Sequence, residues 1–162
     1  MTVSNPAYLQ SLYNTTRAMG DKAISSDAAF EIEGFEQMWL LTKQFPWPEL
    51  SSAGEIEIPM PLGAAKWEAQ QVKVNQQGQI TLMETKAGHV SKMMLNLIRT
   101  GGKFNAKVYE GTPSQFSVAK PIYDCFIQLD NPDRDWENRS QVLNISGTLF
   151  FHYFNEEIPG NI

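Results

Sequence analysis

The chain is poor in the residues on which most active sites depend. It has one cysteine, Cys125, and two histidines, His89 and His152. A single cysteine permits no intramolecular disulfide and no cysteine-rich zinc site. Basic residues number 13 against 18 acidic ones, for a formal net charge of −5 and a pI near 5.0. That balance opposes nonspecific nucleic-acid binding, which draws on clustered lysine and arginine to release counterions. No apolar run approaches the roughly 20 residues of a membrane-spanning helix. The opening Met1-Thr2-Val3-Ser4-Asn5-Pro6 lacks the basic and apolar regions of a secretory signal, so none is expected.

Apolar residues are plentiful. They make up 42% of the 162 residues, and aromatics alone 11%, enough for a folded core. The length suits one domain, which would bury about 70% of its unfolded surface. Nine Phe, five Tyr and four Trp, with many Val, Ile and Thr, favour strands.

Asn5-Pro6 is a helix start, with asparagine as N-cap and proline at the first helical position. Tyr8, Leu9, Leu12 and Tyr13 then share a face and Gly20 offers a C-terminal stop, so an amphipathic helix is expected over residues 6–19. A polar connector follows to residue 27. Phe30 and Ile32 alternate with Glu31 and Glu33, predicting a half-buried strand, and residues 38–45 read as a second. Pro46-Trp47-Pro48 ends it. Residues 46–65 read as an extended loop or arm, holding a short alternating strand, Glu55-Ile56-Glu57-Ile58, and then Pro59-Met60-Pro61-Leu62-Gly63.

Residues 66–74 and 79–84 predict a hairpin turning at Asn75-Gln76-Gln77-Gly78, with a bulge near Gln70-Gln71. Val90, Met93, Met94, Leu97 and Ile98 follow helical spacing, and Gly101-Gly102 stops that helix. Strands are expected at 103–109 and 122–129, separated from the last by a polar loop, 130–138. Residues 142–154 then read as one strand of roughly 43 Å, about twice the ordinary length. Leu143, Ile145, Leu149, Phe151 and Tyr153 lie on its apolar face. A strand of that length suits a protein that shares a sheet or barrel with its neighbours.

No chemical motif survives inspection. Neither histidine sits in a Gly-x-Ser-x-Gly or His-Glu-x-x-His setting. Cys125 lies within the apolar Tyr123-Asp124-Cys125-Phe126-Ile127 and reads as a buried structural thiol. The acidic stretch Asp130 to Glu137 lacks the mid-loop glycine and distal glutamate of an EF-hand and reads as a solvated loop. Gly101-Gly102-Lys103 is not a phosphate-binding loop. No catalytic residue, metal or cofactor is expected, and the chain does not read as an enzyme.

The order of features carries more information than any single residue. A short helix precedes the Phe30-Glu31-Ile32-Glu33 strand, then the Ile58-Pro59-Met60-Pro61-Leu62-Gly63 arm, the Trp67 to Leu82 segment, one helix after Met83-Glu84, a glycine break and an aromatic C-terminal strand. This pattern resembles the tail tube proteins of contractile-tailed bacteriophages, and more distantly the tube proteins of type VI secretion. The resemblance implies a mainly β fold of two packed antiparallel sheets with one flanking helix. It further implies hexameric rings stacked into a tube inside a contractile sheath, with sheath, baseplate and tail terminator proteins as partners. DNA would pass through the lumen without specific binding, in a virion assembled in the host cytoplasm.

On that resemblance Ile58, Pro59, Met60, Pro61, Leu62 and Gly63 are expected to stack one ring on the next. The acidic balance makes Glu31, Glu33, Glu68 and Glu84 candidate lumen acids, since a negative wall repels phosphate. Two rival readings remain: a monomeric β-barrel that binds a small ligand, and the tube of a DNA-free contractile injection device.

Overall fold

The computed structural model describes residues 5–162. Helix α1 (Pro6–Ala18) begins as its caps dictate: the Asn5 side chain accepts a hydrogen bond from the Ala7 N–H at 2.9 Å, and proline opens the first turn. No residue of α1 is buried, however. The apolar face made by Tyr8, Leu9, Leu12 and Tyr13 stays exposed among the described residues.

The body is antiparallel β throughout. Its strands are β1 (Ala28–Ile32), β2 (Thr42–Gln44), β3 (Glu55–Pro59), β4 (Ala65–Ala69), β5 (Asn75–Met83), β6 (Phe104–Gly111), β7 (Phe116–Leu129), β8 (Asn144–His152) and β9 (Ile158–Pro159). Seven form one sheet in the order β1-β6-β7-β8-β5-β2, with β9 beside the first part of β7. That sheet curls into a nearly closed barrel because β7 belongs to both halves. Its first part pairs β6; its second pairs β8. The bend falls between Tyr123 and Phe126, where the register shifts and Asp124 takes a left-handed φ of 47°.

Phe30, Ile32, Ile80, Leu82, Val108, Ile122, Leu149 and Tyr153 fill the interior. Helix α2 (His89–Arg99) closes over it through Val90, Met93 and Leu97, the periodicity expected of it. A smaller cluster of Ala29, Tyr109 and Ala119, with Trp39, Phe116 and Ile158, covers the outer face of the β1-β6-β7 half.

Several expectations change here. Residues 38–45 are not one strand: Glu36–Leu40 forms a 3₁₀ turn that buries Met38, and only Thr42–Gln44 pairs, with β5. The 66–74/79–84 hairpin does not form. Asn75-Gln76-Gln77-Gly78 continues β5, because all nine residues of that strand find partners along β8. Gly78 serves close approach instead of a turn, since a Cβ there would collide with the Pro46 side chain. β4 pairs with β3, and the limbs keep one register through Gln70 with Gly54, Gln71 with Ala53 and Lys73 with Ser51. The ladder is interrupted at Gln70-Gln71, where a bulge was expected, and resumes as a single Ser52–Val72 bridge with no residue added.

The strand expected over 142–154 is β8, Asn144–His152, two residues shorter at each end, and the short β9 follows it. The alternation of β8 holds: Ile145, Leu149 and Phe151 face inward. The long strand is β7, at 14 residues. Pro121 hid it. Bonds from Glu33 N–H to the Asn105 carbonyl and from Gly111 N–H to the Asp27 carbonyl show that odd-numbered β6 residues direct their backbone groups toward β1. Pro121 faces Lys107, one of these, and so forfeits no ladder bond.

Candidate functional surfaces

The most prominent surface is a two-stranded ribbon that leaves the barrel after β2 and returns at β5. Paired from Ser51–Lys73 to Pro59–Ala65, it projects roughly 30 Å at 3.3 Å per residue. The expected arm is its tip. Pro61–Gly63 makes a tight turn between β3 and β4, and Leu62 sits there fully exposed with a left-handed φ of 63°. An L-residue pays roughly 1–2 kcal/mol for that backbone. Ile56, Met60 and Trp67 are exposed as well, so the ribbon carries an apolar surface that none of the described residues covers.

The ribbon's outgoing limb is fastened at its root. Lys120 of β7 is only 7% exposed. Its Nζ donates to the Pro48 carbonyl at 3.0 Å and lies 3.6 Å from Glu49 Oε1. The same nitrogen stands 5.1 Å from the Trp47 ring centroid and 5.5 Å from that of Tyr153. Gln76 Nε2 donates to the Glu49 carbonyl at 2.7 Å.

A second surface is the outer face of β5, β8 and the latter half of β7. Alternation sends Gln77, Gln79, Thr81 and Met83 of β5 outward, beside Asn144, Ser146, Thr148, Phe150 and His152 of β8. Phe126 and Gln128 extend it on β7, and Phe126 stacks on Phe150 at 4.8 Å. None of these eleven positions is Asp, Glu, Lys or Arg. In a chain that is 19% charged, an outward strand face without one such residue is a departure; within it Thr81 is itself covered and bonds Gln44 and Ser146.

The four candidate acids lie elsewhere and apart. Glu31 and Glu33 border a shallow depression on the outside of the β1-β6-β7 half, with Glu36, Glu156 and Lys107. There Glu31 accepts a hydrogen bond from the Tyr109 hydroxyl at 3.0 Å; burial and that carboxylate push the Tyr109 hydroxyl up to about 12. Tyr123 donates to Glu156 beside it. Glu68 stands on the ribbon, 3.5 Å from Lys66. Glu84 caps α2, accepting from the backbone N–H groups of Val90 at 3.0 Å and Ser91 at 3.2 Å. Sequence reasoning missed the root clamp and the uncharged face. Pairing decides both, and only the absence of charge at alternate positions of residues 77–83 and 144–152 hinted at the second.

The chemically active residue types are spread in the same way. Cys125 is buried, and burial pushes its thiol up to about 12, which leaves no thiolate near neutral pH. His89 pairs with Thr85 at the start of α2, and His152 Nδ1 meets the Tyr123 carbonyl at 3.1 Å. Among the described residues no group of three or more His, Cys, Asp or Glu could hold a metal ion. Among the described residues no helix is long and apolar enough to cross a membrane.

No family model and no curated protein matches this sequence. Solved structures do match in fold. A chain from the sheath–tube complex of an extracellular contractile injection system, PVC, in the extended state aligns with a TM-score of 0.56 and 11% identity, over 91% of this chain and 97% of that one. A chain from the tube-terminating cap of the anti-feeding prophage gives 0.55 and 12%, over 86% and 93%. One from the same particle's baseplate gives 0.54 and 14%, over 89% and 100%. At these identities the likeness is one of fold. The chain therefore shares its fold with chains of the sheath–tube, tube-terminating cap and baseplate assemblies of contractile injection systems.

Proposed function

We propose that this chain is a structural tube subunit of a contractile injection machine, a phage tail or a device derived from one, and that it works by assembling with copies of itself. The observation that carries the reading is the ribbon. A barrel of the tail-tube-like fold projects about 30 Å of paired strand, by the rise of 3.3 Å per residue, with Ile56, Met60, Leu62 and Trp67 exposed along it. A chain working alone gains nothing from an apolar tip held in a left-handed backbone. A chain that stacks on its neighbour gains the further burial of all four side chains, about 1.5–3 kcal/mol for Leu62, which starts fully exposed, and less for Ile56 and Met60, which start half-covered.

In this reading six copies close into a ring, the sheets continue from one copy to the next, and the ribbon crosses to the adjoining ring. Joining sheets across copies also removes the open edges at β1 and β2. The uncharged β5-β8-β7 face lines the lumen. Such a wall neither attracts nor repels a charged cargo, so passage of DNA, where the machine carries it, does not rest on the repulsion first assigned to Glu31, Glu33, Glu68 and Glu84. Those acids then serve outer contacts and the α2 cap.

Deleting residues 59–62 tests the ribbon. The shortened chain should keep its circular dichroism spectrum and lose higher-order assembly in sedimentation velocity. Assembly at the wild-type concentration would overturn the stacking role.

A further inference from the structure

We infer that Lys120 sets the pose of the β3–β4 ribbon, and so acts as a positioning residue for whatever the ribbon contacts; the contact itself rests on the reading above. The ribbon joins the barrel by two limbs. Its returning limb runs through Lys73 into Val74, whose carbonyl already accepts from the Tyr153 N–H at 3.1 Å, and so into β5; a single attachment of that kind leaves a hinge just before Val74. Its outgoing limb is residues 45–50, which the sheet cannot hold in the ordinary way, because Pro46 and Pro48 have no N–H to give to a ladder. Side chains do the fastening instead.

Lysine is rarely buried, and a buried ammonium group is stable only when its donors and charge are satisfied. Lys120 reaches up from β7 inside the barrel mouth and finds its partners there: the Pro48 carbonyl, the Glu49 carboxylate and the faces of Trp47 and Tyr153. Three of the four belong to the outgoing limb. Two neighbours reinforce the clamp. Gln76 holds the Glu49 carbonyl, and Gly78 lets Pro46 lie against β5. With this limb fixed, the hinge just before Val74 becomes one leg of a brace, and the direction of the ribbon is determined by the barrel.

Amide hydrogen exchange on the unassembled protein separates this role from general core packing. In Lys120→Met, which keeps the chain length and removes the amine, amides of residues 51–54 and 70–73 should exchange about tenfold faster, while β5, β7 and β8 keep wild-type protection. Lys120→Arg, which retains a cation over the rings, should recover part of the protection. Should Lys120→Met fail to fold, Trp47→Leu removes one wall of the clamp and is expected to loosen the same amides. Wild-type exchange of the ribbon, or equal acceleration across the whole barrel, would overturn the inference. Assembly is read separately: a loosened ribbon that still assembles normally leaves the clamp standing and removes the arm reading on which its purpose rests.

Discussion

Glu84 leaves the end of β5 and turns back onto the first turn of α2, a helix whose N-cap is Gly88 and therefore has no side chain to offer. The carboxylate does that work from six residues away, through Val90, Ser91 and the Thr85 N–H. Burial pushes its pKa up, and the hydrogen bonds from Val90, Thr85 and Ser91 more than offset this, so the folded value lies below the usual one. A carboxylate lowered on folding adds stability that is present above its unfolded pKa and lost as pH falls through the folded pKa. Glu84→Gln should therefore cost about 1 kcal/mol at pH 7, in the range of a lost cap, and progressively less as the pH falls below about 4. Thermal melts of both proteins at pH 7 and pH 3 check this, and an equal gap at the two pH values would contradict it. Gly147, like Gly78, is held to glycine by close approach, because any Cβ there would collide with the Gln128 carbonyl oxygen across the β7–β8 pair.

Elements differed in how far the sequence revealed them, and the reason is physical. α1 and α2 were legible because helix signals are local: Asn5-Pro6 at one start, the spacing of Val90, Met93 and Leu97 along the other, Gly101-Gly102 at its end. Strand identity was legible for β1, β3, β6 and β8 by alternation. Pairing was not. Asn75-Gln76-Gln77-Gly78 has the composition of a turn, yet the partners waiting on β8 keep it extended. The root clamp joins Lys120 to Pro48 across 72 positions, a separation that no local pattern reveals. The amphipathic face of α1 was read correctly as a pattern, but within one chain it covers no core. Removing residues 1–19 should accordingly shift the melting temperature of the barrel by less than about 2 °C. A 13-residue helix is marginal alone in water, so little ellipticity is lost with it. A large drop in melting temperature would show that α1 packs on its own body.

For the whole molecule, the proposed assembly rests on three features: a nearly closed barrel with open edges at β1 and β2, a projecting apolar ribbon, and one sheet face without charge. A heterologous contact, in which one patch meets a different patch on the next copy, repeats without limit unless it closes. Closure within a ring and repetition between rings together give a tube. A monomeric barrel built to bind a small ligand would leave both the ribbon and the open edges unused. Electron microscopy of the purified full-length protein tests this most directly, with and without a tube-initiating complex as seed. The account predicts sixfold rings stacked into tubes, with the β5-β8-β7 face toward the axis and the ribbon crossing to the next ring. Particles that stay monomeric in the presence of the seed, or a tube whose β5-β8-β7 face points outward, would contradict it.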